Sequence, residues 1–350
     1  MDPALAPVEV TVEAKGERRL RGFAHTGSRE TLRSEPGAPG EEIMTSFPTV
    51  RVAAVQATPV ILDAEASVSK AVNLLADVAA AGARLAVLPE TFVSLYPSNA
   101  WAAAASGMDG SAGLDELWER MWSSSIDVPG PLVDELVEAC RRHDIVCAIG
   151  VNERESDRPG TLYNTLLVLG PRGLLSRHRK LMPTHHERLF HGIGAGDDLA
   201  VVETPVGRIG GLICWENRMP LARAAVYRGG PQIWVAPTAD TSDVWQATMR
   251  HIAIESGAFV VAAPQFIPAS AFPADFPLPL PEGRDVFGRG GAVIVEPSEG
   301  NVIAGPLYGE EGMVVHDCDL STALKAKRTF DVTGHYGRED VLLPLLTRPV

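Results

Sequence analysis

The sequence predicts an α/β protein whose mixed sheets are covered by helices. Three observations carry that prediction. From Val50 onward, short apolar runs alternate with stretches of helical period. Later runs come in pairs joined by turn residues, as in hairpins. Finally, 45% of the 350 residues are hydrophobic, enough for one large core or two modest ones.

Residues 1–46 stand apart. They are rich in Glu, Arg, Gly and Pro without sustained periodicity, the pattern of a disordered N-terminal extension, with Val8–Glu13 as a stray alternating stretch. Met44 lies just ahead of the first convincing core strand, which leaves the natural start open. Residues 47–350 are expected to form one domain with a short C-terminal tail. Val50–Gln56 reads as a strand, and Ala64–Ala81 sets Val68, Val72, Leu75 and Val78 on one helical face. Arg84–Leu88 is a buried strand ending at Pro89-Glu90, and Tyr96–Ser125 is a partly helical excursion. Pro131–Arg142 turns Leu132, Leu136, Val137 and Cys140 inward and leads into the strand Ile145–Val151. Gly170-Pro-Arg-Gly173 marks a turn between strands Leu162–Leu169 and Leu174–Arg179. The glycine-rich run Ile209–Ile213 reads as a buried strand, and Pro220 suits the first turn of a helix continuing from Leu221 to Tyr227. A strand Ile233–Ala236, a helix Val244–Ser256 and a strand Phe259–Ala263 follow. Phe266–Asp285, which holds most of a proline cluster, is expected to be a surface loop. Ala292–Glu296 and Asn301–Ala304 pair through Pro297-Ser-Glu-Gly300, and a strand Met313–Asp317 precedes a helix after Ser321.

Composition excludes several function classes. The net charge is −13 and the basic residues form no run or stripe, which argues against a nucleic-acid partner. No apolar stretch approaches bilayer-spanning length, and the N-terminus lacks a signal-peptide core, so no membrane partner is expected. Cys140, Cys147, Cys214 and Cys318 show no CxxC spacing, which points to neither a zinc ribbon nor a disulfide scaffold. Reduced cysteines in a cytoplasmic protein are the expectation.

Chemistry gathers at strand ends. Glu90, Lys180 and Cys214 each directly follow a predicted strand, and side chains at such ends can converge in one crevice. Singly, each has a plainer reading: a solvated acid, a surface cation, a small buried thiol. Together they form a set for attack on a polarised carbon–nitrogen bond. The carboxylate takes the thiol proton, the thiolate attacks, and the ammonium faces the developing negative charge. A cysteine between a strand and a helix would also face the positive end of the helix dipole, which lowers a thiol pKa.

Leu88-Pro-Glu-Thr-Phe92, His178-Arg-Lys-Leu-Met-Pro-Thr184 with Glu187-Arg188, and Ile213-Cys-Trp-Glu-Asn-Arg-Met-Pro-Leu221 closely resemble the nitrilases. So do Ala236-Pro-Thr-Ala-Asp240 with Trp245-Gln246, and Gly334-His-Tyr-Gly-Arg338. The motifs stand in the family's order across Val50 to Asp340. The resemblance implies a four-layer αββα sandwich and a Glu90–Lys180–Cys214 triad, with Glu187 as a second glutamate that positions substrate and water. It implies hydrolysis of a small-molecule nitrile through a covalent thioimidate and a thioester, with no metal and no organic cofactor. The backbone N–H of Trp215 would assist Lys180 in facing the developing charge. Trp215, Tyr96 and His191 are the substrate-contacting candidates, with the Trp215 indole walling a narrow, mostly apolar slot. His191 stands where many nitrilases carry a tryptophan-glycine pair, here Phe190-His191-Gly192, and marks an altered pocket wall. A homo-oligomer, at least a dimer, is also implied.

Rival readings remain. His178, His185, His186 and His191 cluster in sequence near Glu187, but their spacing fits no HExxH zinc pattern, and adjacent His185-His186 would point apart on a strand. Gly192–Asp197 resembles a phosphate loop without the strand and helix that such a loop needs, so a turn is the better account. An amidase or carbamoyl-amide hydrolase of the same superfamily shares the triad, and Cys214-Trp215-Glu216 argues against it. A non-catalytic scaffold would not need the set intact. Glu216 flanks the nucleophile and has a structural reading as well.

Overall fold

The computed structural model describes residues 47–106 and 112–347; the expected disordered extension lies outside them. In chain order the strands are β1 (Thr49–Gln56), β2 (Leu85–Val87), β3 (Val146–Arg154), β4 (Leu162–Gly170), β5 (Gly173–Arg179), β6 (Val202–Thr204) and β7 (Gly207–Gly211). They continue as β8 (Ile233–Thr238), β9 (Phe259–Pro264), β10 (Phe266–Pro268), β11 (Val286–Val295), β12 (Val302–Tyr308) and β13 (Gly312–Asp319). The helices are α1 (Ala64–Ala80), α2 (Asn99–Ser106), α3 (Ala112–Ser123), α4 (Pro131–His143), α5 (Pro220–Tyr227), α6 (Asp243–Ser256), α7 (Ser321–Thr329) and α8 (Glu339–Leu346).

Two sheets result. A six-stranded sheet runs β13-β1-β2-β3-β4-β5, and a seven-stranded sheet runs β10-β11-β9-β8-β7-β6 with β12 beside β11. Both are mixed. The centres β1-β2-β3 and β7-β8-β9 are parallel, and the flanking ladders are antiparallel.

Strand alternation stacks the layers. In β1, Val52 and Ala54 enter the core between the sheets, while Ala53 and Val55 face a helical layer. That outer layer is α1 and α4, whose Val68, Leu75, Leu136 and Cys140 pack with Ile149 and Leu167 of the first sheet. Between the sheets, Leu85, Val146 and Leu166 meet Ile209, Val235 and Ile294. On the far side, Val226 of α5 and Trp245, Met249 and Ile252 of α6 cover Trp234, Val260 and Val293. The order helix, sheet, sheet, helix is the αββα sandwich the sequence motifs implied. No described helix is long and apolar enough to cross a membrane.

Several expectations need correction. Phe266–Asp285 is more than a surface loop: it contains β10, buries Leu278, and sets Phe276 edge-on to Trp101 at 5.3 Å. Its aromatic residues give it apolar area to bury, which its prolines do not prevent. The strand before Cys214 ends at Gly211, and the short β6 beside it has no sequence signal of its own. The tail after Gly334 carries α8. His185 and His186 lie on a 3-10 turn, His185–Leu189, not on a strand.

Candidate active site

The inter-sheet face of the ladder β3-β4-β5 supplies the first half of the site. Successive residues of β5 point to opposite faces, so His178 and Lys180 face the second sheet while Arg177 and Arg179 face away. Lys180 N donates to Asn164 O at 2.8 Å, which continues the pairing one step past β5. Glu90 arrives from β2 on a turn that crosses β3 closely. A Cβ on Gly150 would come within 2.4 Å of Thr91 N, so only glycine lets that turn lie there.

The three groups converge with a fourth. Lys180 is 1% exposed and its Nζ donates to Glu90 Oε1 and to Glu187 Oε2, each at 2.7 Å. Asn164 Nδ2 donates to the same two carboxylates, at 2.7 Å to Glu90 and 2.8 Å to Glu187. Glu90 Oε2 accepts from Ala239 N at 2.7 Å, just beyond β8. Thr238 Oγ1 donates to Cys214 Sγ at 3.1 Å, which brings the thiol to the same strand end. Glu187 is fixed further by Thr184 N at 2.8 Å and Tyr96 Oη at 3.3 Å.

Two buried carboxylates thus share one ammonium, and burial, modulated by these neighbouring charges, sets the protonation. Burial pushes the Glu90 carboxyl up, and the Lys180 charge only partly offsets it. Burial acts the same way on Glu187, but there Lys180 and His191 outweigh it and hold the carboxyl well below its usual range. Lys180 is held charged despite its burial by both glutamates. Burial and then Glu90 push the Cys214 thiol far up.

That last result corrects the helix-dipole expectation. Cys214 opens a five-residue 3-10 turn, Cys214–Arg218, with a left-handed φ of 48°, and α5 begins only at Pro220. The dipole of so short a turn, set against burial and a neighbouring carboxylate, leaves the resting thiol protonated. A base is therefore required. Glu90, at once buried and more basic than an ordinary carboxylate, has the chemistry for it.

The substrate-contacting candidates separate. Trp215 and Tyr96 line a cavity of about 710 Å³ that opens onto Cys214. Ser98, Asn99, Arg218, Asp240, Arg284 and Arg289 share that lining, so it is wide and polar-rimmed rather than a narrow apolar slot. Trp215 Nε1 donates to Asp240 at 2.8 Å, with Arg218 stacked over the indole. His191 is not part of the wall. It is buried behind Glu187, its Nδ1 3.2 Å from Glu187 Oε1 and its Nε2 2.8 Å from Asn152 Oδ1. The other histidines scatter: His178 lies between Asp198 and Glu216, and His185 and His186 lie against Asn99. Gly194 N donates to Lys180 O at 2.9 Å, so the Gly192–Asp197 loop braces the Lys180 backbone. Asn164 and Thr238 escaped the sequence reading, although Asn164 is a polar residue inside an apolar strand, a signal of a buried partner.

Comparison with known proteins identifies the family. The carbon-nitrogen hydrolase family model matches residues 51–328. An aliphatic nitrilase of Sinorhizobium fredii is 44% identical over 299 residues, covering 85% of this chain and 94% of the relative. A bifunctional nitrilase/nitrile hydratase of Nicotiana tabacum, NIT4B, is 43% identical over 309 residues, covering 85% and 86%. Nitrilase 1 of Arabidopsis thaliana is 42% identical over 302 residues, covering 84% and 86%. Among solved structures, the C. elegans NitFhit protein superposes with a TM-score of 0.66 at 21% identity, over 85% of this chain and 67% of that one. A carbon-nitrogen hydrolase from Helicobacter pylori G27 gives 0.65 at 17% identity, over 87% and 100%. The structural matches speak for the fold, and the sequence matches for the family. The chain belongs to the carbon-nitrogen hydrolases and, within them, to the nitrilases, hydrolases that act on the carbon–nitrogen bond of nitriles.

Proposed function

We propose that nitrile hydrolysis runs here through Cys214 as nucleophile, Glu90 as general base, Lys180 as charge stabiliser and Glu187 as the group that orients substrate and water. The observation that carries this reading is the shared ammonium: Lys180 Nζ lies 2.7 Å from both Glu90 and Glu187, and Glu90 accepts from Ala239 N, next to the Thr238 whose hydroxyl donates to Cys214 Sγ. Glu90 accepts the thiol proton as Cys214 Sγ bonds to the nitrile carbon. The nitrogen takes up a proton, giving a thioimidate, while Lys180 and the Trp215 N–H face the negative charge that builds there. Water, deprotonated by Glu90, adds to the carbon. Loss of ammonia leaves a thioester, and a second water releases the acid and restores the thiol. If the tetrahedral species expels the thiolate instead of ammonia, the product is an amide. His191 and Asn164 orient the carboxylates without touching substrate.

Exposed Leu221 and Ile254 on α5 and α6 support a homo-oligomer, at least a dimer, and the four free cysteines suit a cytoplasmic protein. Residues 47–350 would act as one domain, with 1–46 dispensable.

A panel of nitriles and matched amides, scored for ammonia, acid and amide, tests the reading. Nitriles are expected to yield acid and ammonia with a covalent adduct on Cys214, the matching amides reacting much more slowly. Faster turnover of amides across the panel, or activity in Cys214→Ala, would overturn it.

A further inference from the structure

Glu216 takes no part in the steps above, yet its fully buried carboxylate reaches into both sheets. Oε2 accepts from Ile213 N at 2.8 Å, the peptide directly ahead of Cys214. Oε1 accepts from Leu181 N at 2.5 Å, the peptide directly after Lys180. One side chain therefore grips the backbone beside the nucleophile on one sheet and beside the ammonium on the other.

His178 and Asp198 complete the grip. His178 Nε2 lies 3.1 Å from both Glu216 oxygens, and Nδ1 lies 2.7 Å from Asp198 Oδ1. Asp198 Oδ2 accepts from Arg179 N at 2.8 Å, the peptide directly ahead of Lys180. The backbone on either side of Lys180 thus ends on carboxylates of one cluster. A ring with a carboxylate at each nitrogen donates from both, so His178 is an imidazolium that neutralises the pair it joins. Capping the short turn at Cys214 needs only the bond to Ile213 N. The bond to Leu181 N, across to the other sheet, serves something else.

We propose that the Asp198–His178–Glu216 cluster staples the two sheets so that Lys180 Nζ is set against Cys214 Sγ, which makes Glu216 a positioning residue for nitrile hydrolysis. This rests on the roles given above to Lys180 and Cys214. The staple works by geometry alone: a displacement near 1 Å between reacting groups is enough to cost on the order of a hundredfold in rate.

The test compares purified full-length Glu216→Gln with the parent. The amide keeps one acceptor and turns an NH2 toward a peptide N–H, so one of the two backbone bonds is lost. We expect kcat to fall roughly 30- to 100-fold with KM within about threefold, because substrate contacts are untouched. In a Lys180→Ala background the same change should cost less than about threefold in the rate of covalent adduct formation on Cys214, read by mass spectrometry. Asp198→Asn, which keeps an acceptor for Arg179 N, should fall about three- to tenfold in kcat with unchanged KM, and it carries the test if Glu216→Gln does not fold. A kcat within about threefold of the parent in both folded variants would overturn the staple, as would an equal loss with and without Lys180. Whichever of the matched nitrile or amide the parent turns over serves for these ratios, so failure of the nitrile reading and failure of the staple are told apart.

Discussion

The ladder β3-β4-β5 carries a buried charge cluster on each face, and the two are built to opposite rules. On the outer face, Glu153 is buried and accepts from Thr165 Oγ1 at 2.8 Å, from Arg177 and from Arg179. Arg177 reaches on to Val128 O, and Arg179 to Glu155 and the face of Tyr163. One buried carboxylate has two cations, and those cations are 33% and 18% exposed. On the inner face, two buried carboxylates share the single buried Lys180. The residues alternate along the same strands, Arg177 and Arg179 outward, His178 and Lys180 inward. Ion pairing is therefore no mark of function in itself. The outer cluster satisfies every charge and lets water reach its cations, whereas the inner one is buried throughout: burial drives Glu90 and the Cys214 thiol upward, with Lys180 only partly offsetting it at Glu90 and Glu90 adding to it at Cys214.

The largest expected effects test whether the two faces separate chemistry from stability. Cys214→Ala, Lys180→Ala and Glu90→Gln should each lower nitrile turnover by on the order of a hundredfold or more, Cys214→Ala most of all. Ammonia release per folded enzyme, with folding checked by circular dichroism, measures this. A residual rate near that of the parent in any of the three would break the inner-face account.

On the outer face, Glu153→Gln leaves Arg177 with a neutral partner and Arg179 with Glu155 as its one remaining carboxylate. Breaking such a buried pair should cost about 3 kcal/mol of stability, read as a lower urea midpoint. Turnover per folded molecule should stay within a few-fold of the parent, because the substituted side chain points away from Cys214. A collapse in kcat at full stability would show the ladder cannot insulate one face from the other.

The comparison also explains what could be read in the chain. Glu90, Lys180 and Cys214 were visible because each directly follows a run with strand character, a property of a few adjacent residues. Glu187 was not visible in that way: it sits on a 3-10 turn with no periodicity, and only the nitrilase motifs pointed to it. The nitrilase resemblance puts His191 on the pocket wall, at the place of a tryptophan-glycine pair; its actual partner Asn152 lies on β3, far off in sequence, and such a pair leaves no local pattern. The sequence points to an apolar slot because it sets the Trp215 indole directly after the nucleophile. Part of the cavity's polar rim, Arg218, lies close to Cys214 in sequence; the rest comes from Ser98, Asn99, Asp240, Arg284 and Arg289, which only the fold brings there. The absence of an α-helix at Cys214 was in fact legible, since Pro220 marks the first turn of α5 well beyond the cysteine.

The last effect concerns the join between the faces, and at any one pH only part of it is felt, because it is spread over a wide pH window. Burial lowers the His178 pKa, but Asp198 and Glu216 outweigh it and raise it from 6.5 to about 9. The group binds its proton more tightly folded than unfolded. Its stabilisation is therefore fully present below the unfolded value of 6.5 and is lost as pH rises through about 9. The whole shift corresponds to roughly 3 kcal/mol, spread across that window. Lys327 works in the opposite sense: burial lowers its pKa to about 8, so stability recovers as pH rises above that value. The two overlap, and the parent's pH profile alone does not isolate either. His178→Gln does, because it removes the histidine and leaves Lys327 in place. Thermal midpoints taken from pH 6 to pH 9.5 should decline more steeply in the parent than in His178→Gln, the two curves approaching each other at the alkaline end. Parallel curves would mean that His178 carries no extra proton in the folded state, and the cluster between Lys180 and Cys214 would then be held without its cation.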